Sequence, residues 1–434
     1  MASVIPLWKV PPTAVRQEEN TRRAMDATQQ SLVLLLNGGG VVERRTEQQH
    51  SRGSTEDAHD DAPAAQAAAV LPFTAGGRVA VVGPHANDRT QILGNYLGQI
   101  CNESFSSRAC VRSPYEAIAA MNLGGITTNA TGCAINSTDA SGIAAAIAAA
   151  RAADVVVYVG GLDTSSIEKE GQDRHEIGLP GLQLSLLRQL LALGKPLALV
   201  LFHGGIVTFP PDLLAAPNLA LISAGYPGFY GALAIADALF DRWDPSTGVG
   251  TLASNRWGKT PLTWYSEAGW AAAQFEMVNF DMAKSPGRTY RYYTGTPQWQ
   301  FGFGLNYVQT HVHPYAEPNS TSIVAEVLNL DALRQTDEIV LVFVRASPGT
   351  IPATEPSAKL VRALVGFERL GPIDPGASAS ITFAITPDMV QVHNERGEAV
   401  LFPGRYDFVV STGDAQSEHV LHFQCSRDEC QPEG

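Results

Sequence analysis

The stretch "SSIEKEGQDRHEIGLPGLQ", residues 165 to 183, places Glu168, Glu170, Asp173, Arg174, His175 and Glu176 within nine positions. Only 17% of the chain is charged, so this is a local concentration. The segment just before it, "AADVVVYVGGLD", reads as a buried strand. Carboxylates at the C-terminal edge of an α/β sheet stand where such sheets bind ligands. A second explanation is a solvated loop whose charges cap a helix beginning near Pro180. Residue types alone leave both open.

Other chemistry-bearing patterns are weaker. "NGGG" (37 to 40) does not open a helix, and "VVGPHAN" offers one glycine, with Pro84 where a backbone amide would be needed. The chain has no GxGxxG or GxxxxGK[ST], and no GxSxG elbow, so a dinucleotide, P-loop or simple serine-hydrolase role is not expected. His203 in "LFHGG" reads as a packed strand-end histidine. Of five cysteines, Cys101 with Cys110 and Cys425 with Cys430 have spacings that suit small disulfide loops, which leaves Cys133 over. Zinc is the rival reading, without CxxC or HxxxH spacing to support it. No metal or cofactor is expected.

The elements that must position the charged loop are legible around it. "RVAVVGPHA" (78 to 86), "DVVVYVGG" (154 to 161), "PLALVLFHGG" (196 to 205) and "LALISAGYPG" (219 to 228) read as strands. "GIAAAIAAARAA" (142 to 153), "LQLSLLRQLLAL" (182 to 193) and "ALAIADALF" (232 to 240) read as helices. Continuous apolar strands alternating with helices imply a mostly parallel α/β sandwich covered on both faces. The strand ends "GPH", "GGLD", "HGG" and "AGYPG" would line one rim. Upstream, residues 17 to 37 read as a helix running into a short strand. Residues 41 to 70, Ala-, Gln-, Asp- and Glu-rich, cannot bury apolar surface and are expected to be disordered. After about residue 315 short β segments separated by "DPGA" and "FPGR" imply an antiparallel β-sandwich.

The formal charge of -13, with 30 Lys plus Arg and no basic run, argues against a nucleic-acid partner and an anionic membrane surface. No apolar stretch of about 18 residues suggests a transmembrane helix. "MASVIPLWKVPPTAV" lacks the apolar core of a secretory signal. Glycosylation sequons stand at Asn102, Asn129, Asn136 and Asn319 and lean toward secretion.

These segments together resemble the C-terminal part of glycoside hydrolase family 3, nearest its β-xylosidase branch. "SLVLLLN", "VAVVGPHAN…LGNYLG", "GLDTSSIEKEGQDRHEIGLPGLQLSLL", "AGYPGFYGALAIADALF", "GKTPLTWY" and "PGRTYRYYTGTPQWQFGFGLNY" follow in the family's order. "LVGFERL", "DPG" and "FPGRYDFVVSTG" resemble its fibronectin type III-like module. The resemblance implies an arm at 1–40, a low-complexity insertion at 41–76 and an α/β-sandwich domain at 77–265. A connecting arm at 266–315, a fibronectin type III-like domain at 316–425 and a tail at 426–434 follow. It implies O-glycosyl hydrolysis, an oligosaccharide or glycoside substrate and an extracellular setting. Glu168 and Glu170 occupy the motif's two glutamate positions for a general acid/base, Glu168 being preferred. Asp173 and Arg174 match its "DR", which holds the loop shape.

The chain departs from the pattern at its start. Family members begin with a (β/α)8 barrel that carries the nucleophile, and a barrel takes about 250 residues, whereas some 75 precede "RVAVVGP" here. Leu36 replaces the family's lysine, and "IVTF" follows Gly205 where the family has "xVDx". The expectation is therefore a partial hydrolase, inactive alone, that self-associates or depends on a barrel-supplying partner. A non-catalytic glycan-binding or scaffold protein is the alternative.

Overall fold

The computed structural model describes residues 17–38, 69–101, 104, 106–241, 254–273, 278–318, 320–413 and 417–433. Strands β2 (Arg78–Val82), β3 (Ile126–Ala130), β4 (Val155–Gly161), β5 (Leu197–Phe202) and β6 (Leu219–Gly225) form a parallel sheet in the order β3-β2-β4-β5-β6. This is the doubly wound, flavodoxin-like order, which puts the topological switch between β2 and β4. β1 (Val33–Asn37) joins the far edge, antiparallel to β6. The N-terminal arm is thus part of this domain and not a separate piece.

Continuous apolar strands bury both faces. Val79, Val81, Val157, Val159, Ala198 and Val200 point to one side, against helices α2 (Pro114–Met121) and α6 (Gly231–Phe240). Ala80, Val82, Val156, Tyr158, Leu197 and Leu199 point to the other, against α3 (Ile143–Ala152) and α4 (Gln183–Leu191). The side-chain period of two in a strand makes that division automatic. Helix α1 (Glu18–Ser31) lies on α6, and the single turn α5 (Pro211–Leu214) follows β5.

The expected insertion lies largely outside the described residues, but its C-terminal boundary at 76 is corrected. Leu71 and Phe73 are buried in the core. The Asn37 carboxamide accepts from the Val70 and Leu71 amides and donates to the Leu71 carbonyl. That half-buried side chain clasps the two ends of the segment, satisfying the backbone groups of Val70 and Leu71 where the chain re-enters the core.

The arm after α6 contains β7 (Ser254–Asn255), β8 (Trp264–Tyr265), α7 (Glu267–Ala273), α8 (Thr289–Tyr292) and β9 (Pro297–Trp299). It straps back over β1: the Gly258 amide donates to Leu32, and the Leu305 amide to Leu34. The second domain packs β10 (Thr310–Ala316), β11 (Ser322–Asn329) and β14 (Ser378–Ala384) against the sheet β13-β12-β17-β18-β19. Those strands are β12 (Gln335–Ala346), β13 (Ala363–Ile373), β17 (Gly404–Ser411), β18 (His419–Cys425) and β19 (Cys430–Pro432). A two-stranded ribbon, β15 (Val392–His393) with β16 (Ala399–Val400), lies beside them. Phe408 and Phe423 fill the space between the sheets. Among the described residues, no helix interrupts 325 to 413 beyond short 3-10 turns. The two domains are tied by the buried Lys259–Glu338 pair at 2.9 Å and by β7 pairing with β12. Cys101 is joined to Cys110 and Cys425 to Cys430, while Cys133 is free and buried.

Candidate functional site: the loop after β4

The charged stretch begins where β4 ends at the sheet's C-terminal rim, and its first turns are fixed by hydrogen bonds. The Asp163 carboxylate accepts from the amides of Ser166 (2.8 Å) and Ile167 (3.0 Å) and from both serine hydroxyls. Burial pushes this carboxyl up, but those donors outweigh it and hold it below the usual carboxylate range. The Glu168 amide then donates to the Asp163 carbonyl at 2.9 Å.

Glu168 turns inward. One carboxylate oxygen accepts from the Gly205 amide and the other from the Gly204 amide, both at 2.6 Å. Tyr226 adds its hydroxyl at 3.1 Å, and Arg174 stands 3.8 Å away. Burial, then the Glu168 charge, raises the Tyr226 hydroxyl well above its ordinary value. The close approach needs Gly204, since a Cβ there would stand 2.9 Å from the carboxylate. Arg174 donates to the Ile206 carbonyl at 2.7 Å and locks the loop onto the segment after β5.

Glu170 turns outward. Lys169, Glu170, Gly171 and Gln172 form a tight turn closed by the Gln172 amide donating to Lys169 at 3.0 Å, with Gly171 at φ +79°. A positive φ at the third position is what admits glycine there. Glu170 rides the tip, exposed, and accepts from the Tyr96 hydroxyl at 3.1 Å. Tyr96 is itself 85% exposed, so this pair faces open space at the rim.

Between the loop and the arm lies a cavity of about 1170 Å³, walled by Glu168, Asp173, Arg174, Glu267, Trp270 and Arg288. Glu170 stands outside it. Asp173, His175 and Glu176 are exposed. His203 is buried, bonded to the Gly205 carbonyl and Ser223 hydroxyl and packed on Trp264, and burial lowers it to about 4. It is a packed neutral histidine. The rim expected from "GPH", "GGLD", "HGG" and "AGYPG" is brought together: His85 contacts Leu162, and Glu168 spans Gly204, Gly205 and Tyr226. Sequence reasoning did not single out Tyr96, Tyr226 or Trp270; "GNYLG" and "GYPG" contain the first two, and nothing local marks the third. Asn129 and Asn136 are exposed, and Asn102 and Asn319 lie outside the described residues. Among the described residues no cluster of three or more His, Cys, Asp or Glu is placed to hold a metal, and no helix is long and apolar enough to cross a membrane.

With this geometry in view, comparisons with known proteins are specific. Residues 66–307 match the glycosyl hydrolase family 3 C-terminal domain, and 338–413 match a fibronectin type III-like domain. The chain is 36% identical over 372 residues to a probable exo-1,4-beta-xylosidase, xlnD, of Aspergillus terreus, covering 80% of this chain and 43% of that protein. It is 31% identical over 377 residues to the exo-1,4-beta-xylosidase xlnD of Emericella nidulans, covering 81% and 43%. Among solved structures it superposes on a family 3 exo-beta-xylosidase (XlnD) bound to a xylobiose aziridine probe. That match has TM-score 0.74 and 26% identity and covers all of this chain and 52% of that one. A Listeria innocua beta-glucosidase bound to glucose shares the fold at TM-score 0.70 and 19% identity, over 97% of this chain and 52% of that one. The chain spans less than half the length of the curated relatives it matches. The α/β sandwich with its charged loop after β4, and the β-sandwich behind it, belong to glycoside hydrolase family 3.

Proposed function

We propose that this chain supplies the acid/base side of a β-xylosidase-type glycosidase, and that Glu170 is the proton donor. The observation that supports Glu170 over Glu168 is the division of the pair by hydrogen bonding. A general acid must keep an oxygen free to meet the glycosidic oxygen. Both oxygens of Glu168 already accept from peptide amides within the chain, whereas Glu170 sits on an exposed turn tip with one tyrosine donor. Glu168 is the residue that shapes the loop, with Asp163 and Arg174.

Retaining glycoside hydrolysis needs a second carboxylate about 5–5.5 Å across the scissile bond. In this proposal it comes from a barrel outside these 434 residues, docked on the rim that carries Tyr96 and Glu170. The substrate is a β-xyloside or short xylo-oligosaccharide, and the setting is extracellular, consistent with the two disulfides.

The test is to assay the 434 residues alone and completed by a family barrel, fused or in trans, on aryl xylosides of graded leaving-group ability. The chain alone is expected to give no turnover. In the completed protein Glu170→Gln should slow poor leaving groups far more than good ones, because acid assistance matters least when the leaving group is stable. Turnover by the chain alone overturns the division of the site. The leaving-group pattern appearing in Glu168→Gln and not in Glu170→Gln overturns the assignment. Tight oligosaccharide binding without turnover in either form would favour a glycan-binding role.

A further inference from the structure

Helix α1 meets α6 through a polar contact inside an otherwise apolar interface. Gln29 of α1 and Asp237 of α6 are 5% and 2% exposed, and the Gln29 carboxamide donates to Asp237 Oδ2 at 2.5 Å. The Gln29 carboxamide oxygen, Oε1, and the second carboxylate oxygen of Asp237, Oδ1, are both buried without a partner. Two acceptors cannot satisfy one another. A cavity of about 10 Å³ beside them is at or below the roughly 10–15 Å³ that a water needs. A single proton on Asp237 Oδ1 resolves both orphans: the acid O–H donates to Gln29 Oε1 while the amide donates back. The contact becomes a paired acid and amide with every atom bonded.

We infer that a proton shared between Asp237 and Gln29 is a latch that fastens helix α1 to the α/β domain in acid and loosens it in alkali. The surroundings favour the neutral acid. Asp241, at the C-terminal end of α6, adds a second negative charge, and its carboxyl is also raised, to about 6, by burial. Arg256, from the arm, opposes this, but it is engaged by Asp26 of α1 at 3.2 Å. Arg334 lies 3.9 Å from Asp241 and 3.7 Å from Asp331, so its charge is divided. Tyr307 donates to the Ala238 carbonyl, and Trp257 closes the cavity wall. Burial, then Asp241, raises the Asp237 carboxyl to about 8.

The sign follows. A carboxyl that is raised in the docked state binds its proton more tightly there than when α1 has opened and exposed it. Docking is then strongest in acid, weakens as pH rises from about 4, and stops changing above about 8. A single such group changes the opening equilibrium by at most about tenfold per pH unit.

Hydrogen exchange of α1 amides in the 434-residue chain, expressed as protection relative to the intrinsic rate at each pH, reads this directly. Protection is expected to fall roughly 100-fold between pH 5.5 and 7.5, by that slope, and to level off beyond pH 8. Asp237→Asn, whose amide donates permanently to Gln29 Oε1, should remove the dependence and keep α1 protected at pH 8. Infrared difference spectra of wild type against the variant at pH 6.5 should show a neutral carboxylic acid in the wild type. Protection of α1 that is flat with pH in the wild type overturns the latch, as does the absence of the neutral acid band. The exchange measurement needs no variant, so it decides the matter even if Asp237→Asn does not fold.

Discussion

Replacing Glu168 by glutamine distinguishes a loop-shaping carboxylate from a catalytic one without any substrate. Gln is nearly isosteric, but it turns one carboxylate oxygen into an NH2 group. Whichever oxygen is converted, the new N–H faces the Gly204 or Gly205 amide, each now donating at 2.6 Å. One charge-assisted hydrogen bond worth about 1.5–3 kcal/mol is lost, and a partly buried amide is left unpaired at a further 1–3 kcal/mol or so. Glu168 is 24% exposed at its side chain, so water recovers part of this. A net of about 3 kcal/mol corresponds to roughly 100-fold in the local opening equilibrium, since 1.36 kcal/mol is tenfold. Opening should be local, because the loop lies at the rim of the sheet and the bonds being broken join it to the segment after β5. The assay is hydrogen exchange at the Gly204, Gly205 and Thr208 amides; the last donates to Ile177 inside the same loop at 2.7 Å. Glu170→Gln, with its one exposed tyrosine bond, is the control and should change stability by no more than about 0.5 kcal/mol. If Glu168→Gln leaves all three amides within about threefold of wild type, well short of the roughly 100-fold loss expected from the broken hydrogen bonds, the peptide-amide clamp does not hold this loop.

Global stability should rise as pH falls from about 8 to about 6.5, change less between about 6.5 and 4, and decline below about 4. The folded-state carboxyls of Asp237 and Asp241, raised to about 8 and 6, favour the native state in acid and lose that advantage as pH rises. Burial lowers His203 to about 4 and lowers His85 and His419 as well, so these act oppositely below pH 6.5 against the raised Asp337; below 4 the depressed Asp163 and Asp407 lose their contribution as they protonate. Thermal melts from pH 3 to 9 check the order, and a maximum at pH 8 would contradict it. Trp264→Ala should cost about 3–5 kcal/mol in urea titrations, since the indole is fully buried against His203 and Trp299 and donates to Thr260. Protein made in an oxidising compartment should yield peptides linking Cys101 to Cys110 and Cys425 to Cys430, with Cys133 alkylated only after unfolding.

Much of the scaffold was legible because its signals are local. β4, β5 and β6 are continuous apolar runs buried on both faces, and α3, α4 and α6, which alternate with them along the chain, have the Ala and Leu spacing that such packing requires. The placement of the charged loop followed, since a strand that ends in Gly160–Gly161 must release its chain at the rim. α2 was missed although "SPYE" announces it: Ser113 and Glu116 form a reciprocal cap with Pro114 at the first turn. β3 escaped because "ITTNA" is an edge strand with little apolar content, recognisable only once β2 lies beside it.

What the sequence by itself determined was the layering of the two domains, the family and the position of the acidic loop. Tertiary structure decided which glutamate is tied. Glu168 and Glu170 are two residues apart in the same polar stretch, and no local rule separates them. The donors that hold Glu168 come from Gly204, Gly205 and Tyr226, brought to it by the parallel order β4-β5-β6. It likewise decided that β1 closes the sheet beside β6, that Leu71 and Phe73 belong to the core, and that Asp237 meets Gln29. Propensity and periodicity act over a turn or a strand, whereas burial and hydrogen-bond satisfaction are properties of the assembled chain. Side chains whose partners lie far along the sequence acquire their roles only when the sheet is complete.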